Sequence, residues 1–165
     1  MLFRSVDTTE IAATGQAHEA IHCLTIPLHE ETVLLPNAAI AEIVGYMKPK
    51  SIEGNPDWFL GNVSWRDTQV PLISFEAISG KEVATAKKNS RIAVLNTLNG
   101  NTKVPYLGIL SQGIPSIALV QEEGIEEPSE QESRIAVGAT INVGGVEVLI
   151  PDIDELEQQL QGLKM

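Results

Sequence analysis

The chain has 165 residues, 43% of them apolar and 20% charged. That is one domain, or two small subdomains sharing a core, and it is long enough to bury about 70% of its unfolded surface without disulfides or metal. Eleven basic residues stand against 22 acidic ones, a net charge of −11, which argues against nucleic acid or an anionic membrane surface as partner, because both are bound through Lys and Arg.

Cys23 is the single cysteine. An intramolecular disulfide is therefore excluded, and a reducing compartment is expected. Met1–Gln16 carries no apolar run of signal-peptide length, and no stretch approaches the roughly 18 apolar residues of a membrane helix. These features predict a cytoplasmic protein with no direct membrane insertion.

Aromatics are only 4% of the chain, while Ile, Val and Leu are abundant between closely spaced Gly and Pro. This pattern predicts many short strands. Residues 1–19 read as a flexible leader and 20–165 as the folded domain. A first strand is predicted over Ile21–Leu28, and a second over Thr32–Leu35 after a Glu30-Glu31 turn. Pro36-Asn37 then breaks the chain, and Asn37 as N-cap predicts a short helix over Ala38–Val44, with Ile40 and Ile43 on one side. Residues 48–57 read as loop.

Strands are predicted next over Trp58–Trp65 and Gln69–Phe75, with hairpin spacing at Asp67-Thr68. A polar segment, Lys81–Ser90, precedes a strand over Arg91–Leu98. Asn99-Gly100 is a strong hairpin signal, because both residues tolerate positive φ. Val104–Leu110 returns, and Ile114–Val120 follows. Residues 121–134 hold six glutamates and read as an exposed acidic loop. Ile135–Val143 and Val146–Ile150 flank a second strong turn at Gly144-Gly145. Beyond Pro151, Asp152 caps a C-terminal helix whose Ile153, Leu156, Leu160 and Leu163 share one face.

The chain also echoes itself. Gly61-Asn-Val-Ser-Trp, a turn and Val70-Pro-Leu-Ile parallel Gly138-Ala-Thr-Ile-Asn-Val, a turn and Val146-Glu-Val-Leu-Ile. The expectation is an all-β fold of two related small barrels.

Catalytic patterns are missing from the sequence: there is no Gly-x-Ser-x-Gly, no phosphate-binding loop and no dinucleotide-binding glycine run. His18, His22 and Cys23 lack a second ligand pair, so no metal is expected, and no cofactor is implied. Cys23, in an apolar strand, reads as a small buried hydrophobe. Acidic pairs such as Asp152 with Asp154 read as solvated or capping groups. Glu42 and Arg66 are the informative charges, one beside Ile43 on the predicted helix and the other at a hairpin tip. Two readings stay open for them, an ion pair tethering helix to hairpin and an interaction surface; an exposed pair contributes only about 0–1 kcal/mol, so stability is a weak reason for it. Trp58, Phe59 and Trp65 read as core or barrel-mouth residues, or as a partner anchor.

Leu34-Leu-Pro-Asn-Ala-Ala-Ile-Ala-Glu-Ile-Val44 and Pro56-Asp-Trp-Phe-Leu-Gly-Asn-Val-Ser-Trp-Arg-Asp-Thr-Gln-Val-Pro-Leu-Ile73 together resemble the CheW-like domain of bacterial chemosensory systems. The likeness extends through Arg91–Leu95, Tyr106–Ile109 and Gly138–Leu156, about residues 21–160. It implies two five-stranded SH3-like barrels and a non-catalytic, cofactor-free adaptor. The implied partners are the regulatory domain of a CheA-type histidine kinase and the tip of a methyl-accepting chemoreceptor, at receptor arrays. By the same resemblance Glu42 and Arg66 match the family's linked Glu and hairpin Arg, Ile40 and Ile43 match apolar positions near the receptor groove, and Gly61 matches the strand Gly. For Ile40, Ile43 and Gly61 plain packing is the alternative. Asp67 departs from the family's Gly and adds charge at an expected contact point. Ser64-Trp65 replaces a smaller pair. These departures and the acidic loop resemble the divergent, ChpC-like branch linked to type IV pili and twitching motility. The competing reading is a small-ligand-binding β-barrel with a closed pocket lined by Ile, Val and Trp.

Overall fold

Strands dominate, as the β-branched composition predicts. The computed structural model describes residues 20–98, 100, 103–121, 125–126 and 133–164. The expected leader, most of the acidic run and Asn99 of the first Asn-Gly turn lie outside these residues. In chain order the strands are β1 (Ala20–Pro27), β2 (Thr32–Pro36), β3 (Ile40–Gly45), β4 (Phe59–Trp65), β5 (Thr68–Ile73), β6 (Arg91–Asn96), β7 (Tyr106–Ser111), β8 (Ser116–Gln121), β9 (Ile125–Glu126), β10 (Val137–Val143) and β11 (Val146–Pro151).

They form two sheets, in the orders β8-β1-β2-β11-β10-β9 and β3-β6-β7-β5-β4. Leaving out the two-residue β9, the sheets share one pattern. Reading across each, the pairings run antiparallel, antiparallel, parallel, antiparallel. The internal echo is thus structural. β4–β5 and β10–β11 are matching hairpins, each with a bulge beside its glycine, Gly61 or Gly138. Each also closes on two residues of positive φ, Arg66-Asp67 or Gly144-Gly145, the geometry that matches hairpin twist. The chain lays down β1 and β2, builds the whole second sheet, and then returns to finish the first.

Period-2 alternation along the strands sorts the side chains into three cores. Ala93 and Leu95 of β6 enter a shared core between the sheets, while Ile92 and Val94 enter a second core on the far face. On β2, Val33 and Leu35 enter the shared core and Leu34 enters a third, with Cys23, Val120 and Val148. Cys23 is therefore the small buried hydrophobe expected, and burial pushes its thiol pKa up. The C-terminal helix, Ile153–Gln161, is capped by Asp152, whose side chain accepts from the Glu155 amide at 3.0 Å. It seats Ile153, Leu156 and Leu160 in the shared core. No helix among the described residues is long and apolar enough to cross a membrane.

Three local expectations are corrected. The helix predicted over Ala38–Val44 shrinks to one 3₁₀ turn, Asn37–Ala39, without a side-chain cap. Ile40–Gly45 instead pairs with β6, because a mostly apolar run, half-buried on both faces, gains more from sheet pairing than from local helix propensity. A one-turn helix, Phe75–Ile78, follows β5, capped by Ser74. Within the predicted acidic loop, Ile125–Glu126 pairs with β10.

Arg134 ties the two sheets together. Its guanidinium makes a two-pronged ion pair with Glu31 on the β1–β2 turn, one contact being 2.8 Å. It also donates to the Ser79 carbonyl and hydroxyl at 3.0 and 2.8 Å, beyond the short helix. The Arg134 and Glu31 side chains are 15% and 18% exposed, so screening by solvent is weak. The Arg134 hydrogen bonds hold the Glu31 carboxyl below its ordinary pKa of 4.5, against the opposing effect of its burial. A lowered folded-state pKa gives stability that is present above the ordinary value and lost as pH falls through the lowered one. Arg134→Ala is expected to cost about 1–3 kcal/mol at pH 7, since it leaves a half-buried carboxylate without its charged hydrogen-bond partner. It should also flatten the fall in stability below about pH 4.5; urea midpoints at pH 7 and pH 3.5 check both effects.

Candidate functional site

The bulge in β3 sets the site. Ile40 faces Leu95, but Glu42 faces Val94, with the register shifting between them. Residues two apart on a regular strand share a face; the extra residue, Ala41, puts these two on opposite faces. Ile40 and Ile43 therefore turn to the shared core, half-buried. Glu42 turns to the other face, where Trp65 ends β4.

There Glu42 Oε1 accepts from two donors, Arg66 Nη2 at 2.8 Å and the Trp65 indole Nε1 at 3.2 Å. The Arg66 guanidinium also lies 4.8 Å from the centroid of the Trp65 ring, within cation–π range. Tyr106 meets Trp65 edge-on at 4.8 Å. β3 and β4 are the two edges of the five-stranded sheet, so this cluster bridges the seam that hydrogen bonding leaves open. Trp65 is 8% exposed, while the Arg66 and Glu42 side chains are 70% and 39% exposed. A buried aromatic base thus carries an exposed charged rim.

Asp67 sits beside Arg66 at the hairpin tip, exposed. Both are left-handed, with φ 47° at Arg66 and 60° at Asp67. The turn that glycine would ease is retained, with Asp holding the strained position. Gly61 belongs to a different part of the strand. It has φ 130°, and a Cβ there would stand 2.5 Å from the Lys50 carbonyl oxygen. That close approach lets Lys50 and Asn62 exchange backbone hydrogen bonds of 2.8 and 3.0 Å. Backbone packing accounts for this glycine.

Of the six residues singled out from sequence, the structure therefore brings Glu42, Arg66 and Asp67 together. Ile40 and Ile43 lie across the sheet from them, and Gly61 shapes the loop behind. The indole bond to Glu42 and the Tyr106 contact were not foreseen; an indole one residue from the hairpin Arg was the available signal. Trp58 packs against the shared core, and Phe59 and Trp65 are buried. The Ile, Val and Trp side chains that a closed ligand pocket would need fill the cores instead. His22 is exposed and His18 lies outside the described residues. Among the described residues, no three His, Cys, Asp or Glu side chains are grouped to hold a metal.

Two sheets of one pairing pattern, joined by a shared core and carrying a charged rim, define a double β-sheet fold. The CheW-like domain model matches residues 22–161, and the chain belongs to that family. It is similar to the scaffolding protein TtCheW from Thermoanaerobacter tengcongensis, whose crystal structure superposes with a TM-score of 0.68 at 19% identity over 81% of this chain and 89% of that one. At that identity the likeness is one of fold. No curated protein matches the chain.

Gly61→Ala is expected to destabilise by about 1–3 kcal/mol from backbone strain alone, and further from the clash with Lys50. Chemical denaturation checks this. Asp67→Gly is expected to act oppositely, stabilising by about 0.5–1 kcal/mol through relief of the left-handed turn. That corresponds to a melting temperature about 1–4 °C higher, read by calorimetry.

Proposed function

We propose that this protein is a non-catalytic adaptor that couples chemoreceptors to a CheA-type histidine kinase. The family is one of scaffolds in chemotaxis signalling, and membership supports the adaptor role. The observation that carries it is the exposed Glu42–Arg66 pair seated on buried Trp65. An ion pair this exposed adds about 0–1 kcal/mol to folding, yet it is held by an indole donor and a π face. Orientation for a partner explains that investment better than stability does.

In this reading the charged rim, with Asp67 at its tip, meets the kinase's regulatory domain or the receptor. Ile40 and Ile43 offer apolar contact to the receptor tip, and Gly61 keeps the loop behind them in place. The protein acts in the cytoplasm at receptor arrays, where modest and repeated contacts suffice. A net charge of −11 favours basic patches on its partners and makes association salt-sensitive. Asp67, Ser64-Trp65 and the acidic run favour a pilus-linked, twitching-motility pathway over the main flagellar one.

Calorimetric titration onto the regulatory domain of a chemosensory kinase from the same organism, at low and high salt, tests the reading. Micromolar binding that weakens with salt is expected. Glu42→Ala and Arg66→Ala should each weaken it about tenfold while shifting the melting temperature by less than about 3 °C, in line with the small stability of an exposed pair. Variants that lose several degrees and bind normally would make the pair purely structural.

A further inference from the structure

The β1–β2 turn (His29–Glu31) and the segment after the short helix (Gly80–Lys87) come from different sheets and face one another. With Glu76 and Gln112 they line a cleft of about 610 Å³, within the size range of small-molecule sites. Two of its buried groups lack a counterpart, Glu76 an ion-pair partner among the described residues and Gln112 a hydrogen-bond acceptor. Glu76 is 3% exposed and has no ion-pair partner among the described residues. Its carboxylate accepts from the His29 amide at 3.2 Å and the Ser74 hydroxyl at 3.4 Å, both long for bonds to a charged acceptor, and its own backbone amide adds a further hydrogen bond. That hydroxyl already accepts from the Ala77 and Ala84 amides. Burial accordingly pushes the Glu76 carboxyl above its ordinary pKa. The second group is the Gln112 side-chain amide, whose Nε2 is buried without a hydrogen-bond partner. A buried donor left unmade is costly and uncommon.

The cleft thus pairs a buried carboxyl group that has no ion-pair partner among the described residues with an unfilled N–H donor, and Lys81 and Lys87 stand in the same lining. Among the acidic side chains there, Glu31 is already taken by Arg134. We propose that the cleft binds a small zwitterion, with its ammonium group on Glu76 and its carboxylate on Gln112 Nε2 and a lining lysine. Such a molecule gives Glu76 a counter-charge and Gln112 an acceptor at once. A simple anion would meet the Glu76 charge, and a simple cation would leave Gln112 unpaired. Because the walls come from both sheets, an occupant would also brace their relative position.

The probes are glycine, β-alanine, γ-aminobutyrate and 6-aminohexanoate, which carry ammonium and carboxylate at increasing separation. Butylamine and butyrate are the single-charge controls. Binding to the full chain is read by calorimetry and thermal shift, without kinase or receptor, so the outcome is independent of the adaptor reading. At least one zwitterion is expected to bind at least tenfold more tightly than either control. Glu76→Gln, which preserves shape, is expected to weaken that binding at least tenfold. Gln112→Leu, measured alongside, gives the same reading if the first variant folds poorly. If no zwitterion binds better than the controls, or if both variants bind it as the parent does, the proposal is overturned.

Discussion

Most strands of this molecule have apolar residues on both faces, and the shared core between the sheets is the constraint that makes this necessary. A lone small barrel needs one buried face per strand. Here the outer faces of both sheets are buried as well, against each other and against the C-terminal helix. That doubles the apolar demand on short strands and explains a chain rich in Ile, Val and Leu but poor in aromatics, since closely stacked sheets leave little room for large rings. Polar links across the junction, Arg134 foremost, then set how the two sheets sit.

The seam of the five-stranded sheet shows how one carboxylate serves two purposes. Apart from the Lys50–Asn62 bridge, backbone pairing stops at β3 and β4, and unpaired edges invite unwanted strand addition. Glu42 spans the gap through Trp65 and Arg66, yet leaves its charge and that of Arg66 largely in solvent. The interior half of the cluster guards the edge, and the outer half presents a fixed charge pattern. The two readings left open by the sequence, tether and contact surface, describe the two ends of the same side chains.

Much of this was legible in the residues. The β-branched runs marked nearly every strand, Gly144-Gly145 marked its turn, and Asp152 its helix cap. The internal echo extended to matching bulges and pairing order. Glu42 and Arg66 stood out as charges beside Ile43 and at a hairpin tip, although Glu42 was placed on a helix. That error has a physical source: Ala38, Ala39, Ala41 and Glu42 all favour helix locally, and only the pairing of Ile40–Gly45 with β6, some fifty residues downstream, overrides them. The bulge at Ala41 is equally invisible in one dimension, though it decides which way Glu42 points. Arg134 with Glu31, and Glu76 with Gln112, join residues far apart in sequence with no motif to announce them. The short strand at Ile125–Glu126 hides within a run whose charge signals loop.

The chain's path also dictates an order of assembly. The five-stranded sheet is complete once Ser111 has been made, because β3 to β7 are contiguous in sequence. β1 and β2 come first off the ribosome but must wait for β11, since Val33 pairs with Leu149. Until then the parallel edge of β2 is bare. Long-range pairing of this kind slows folding and exposes intermediates to aggregation. Until β8 pairs with β1, the early hairpin has only packing on the finished sheet to shelter it, so the sheet made from contiguous strands serves as the template on which the other is completed.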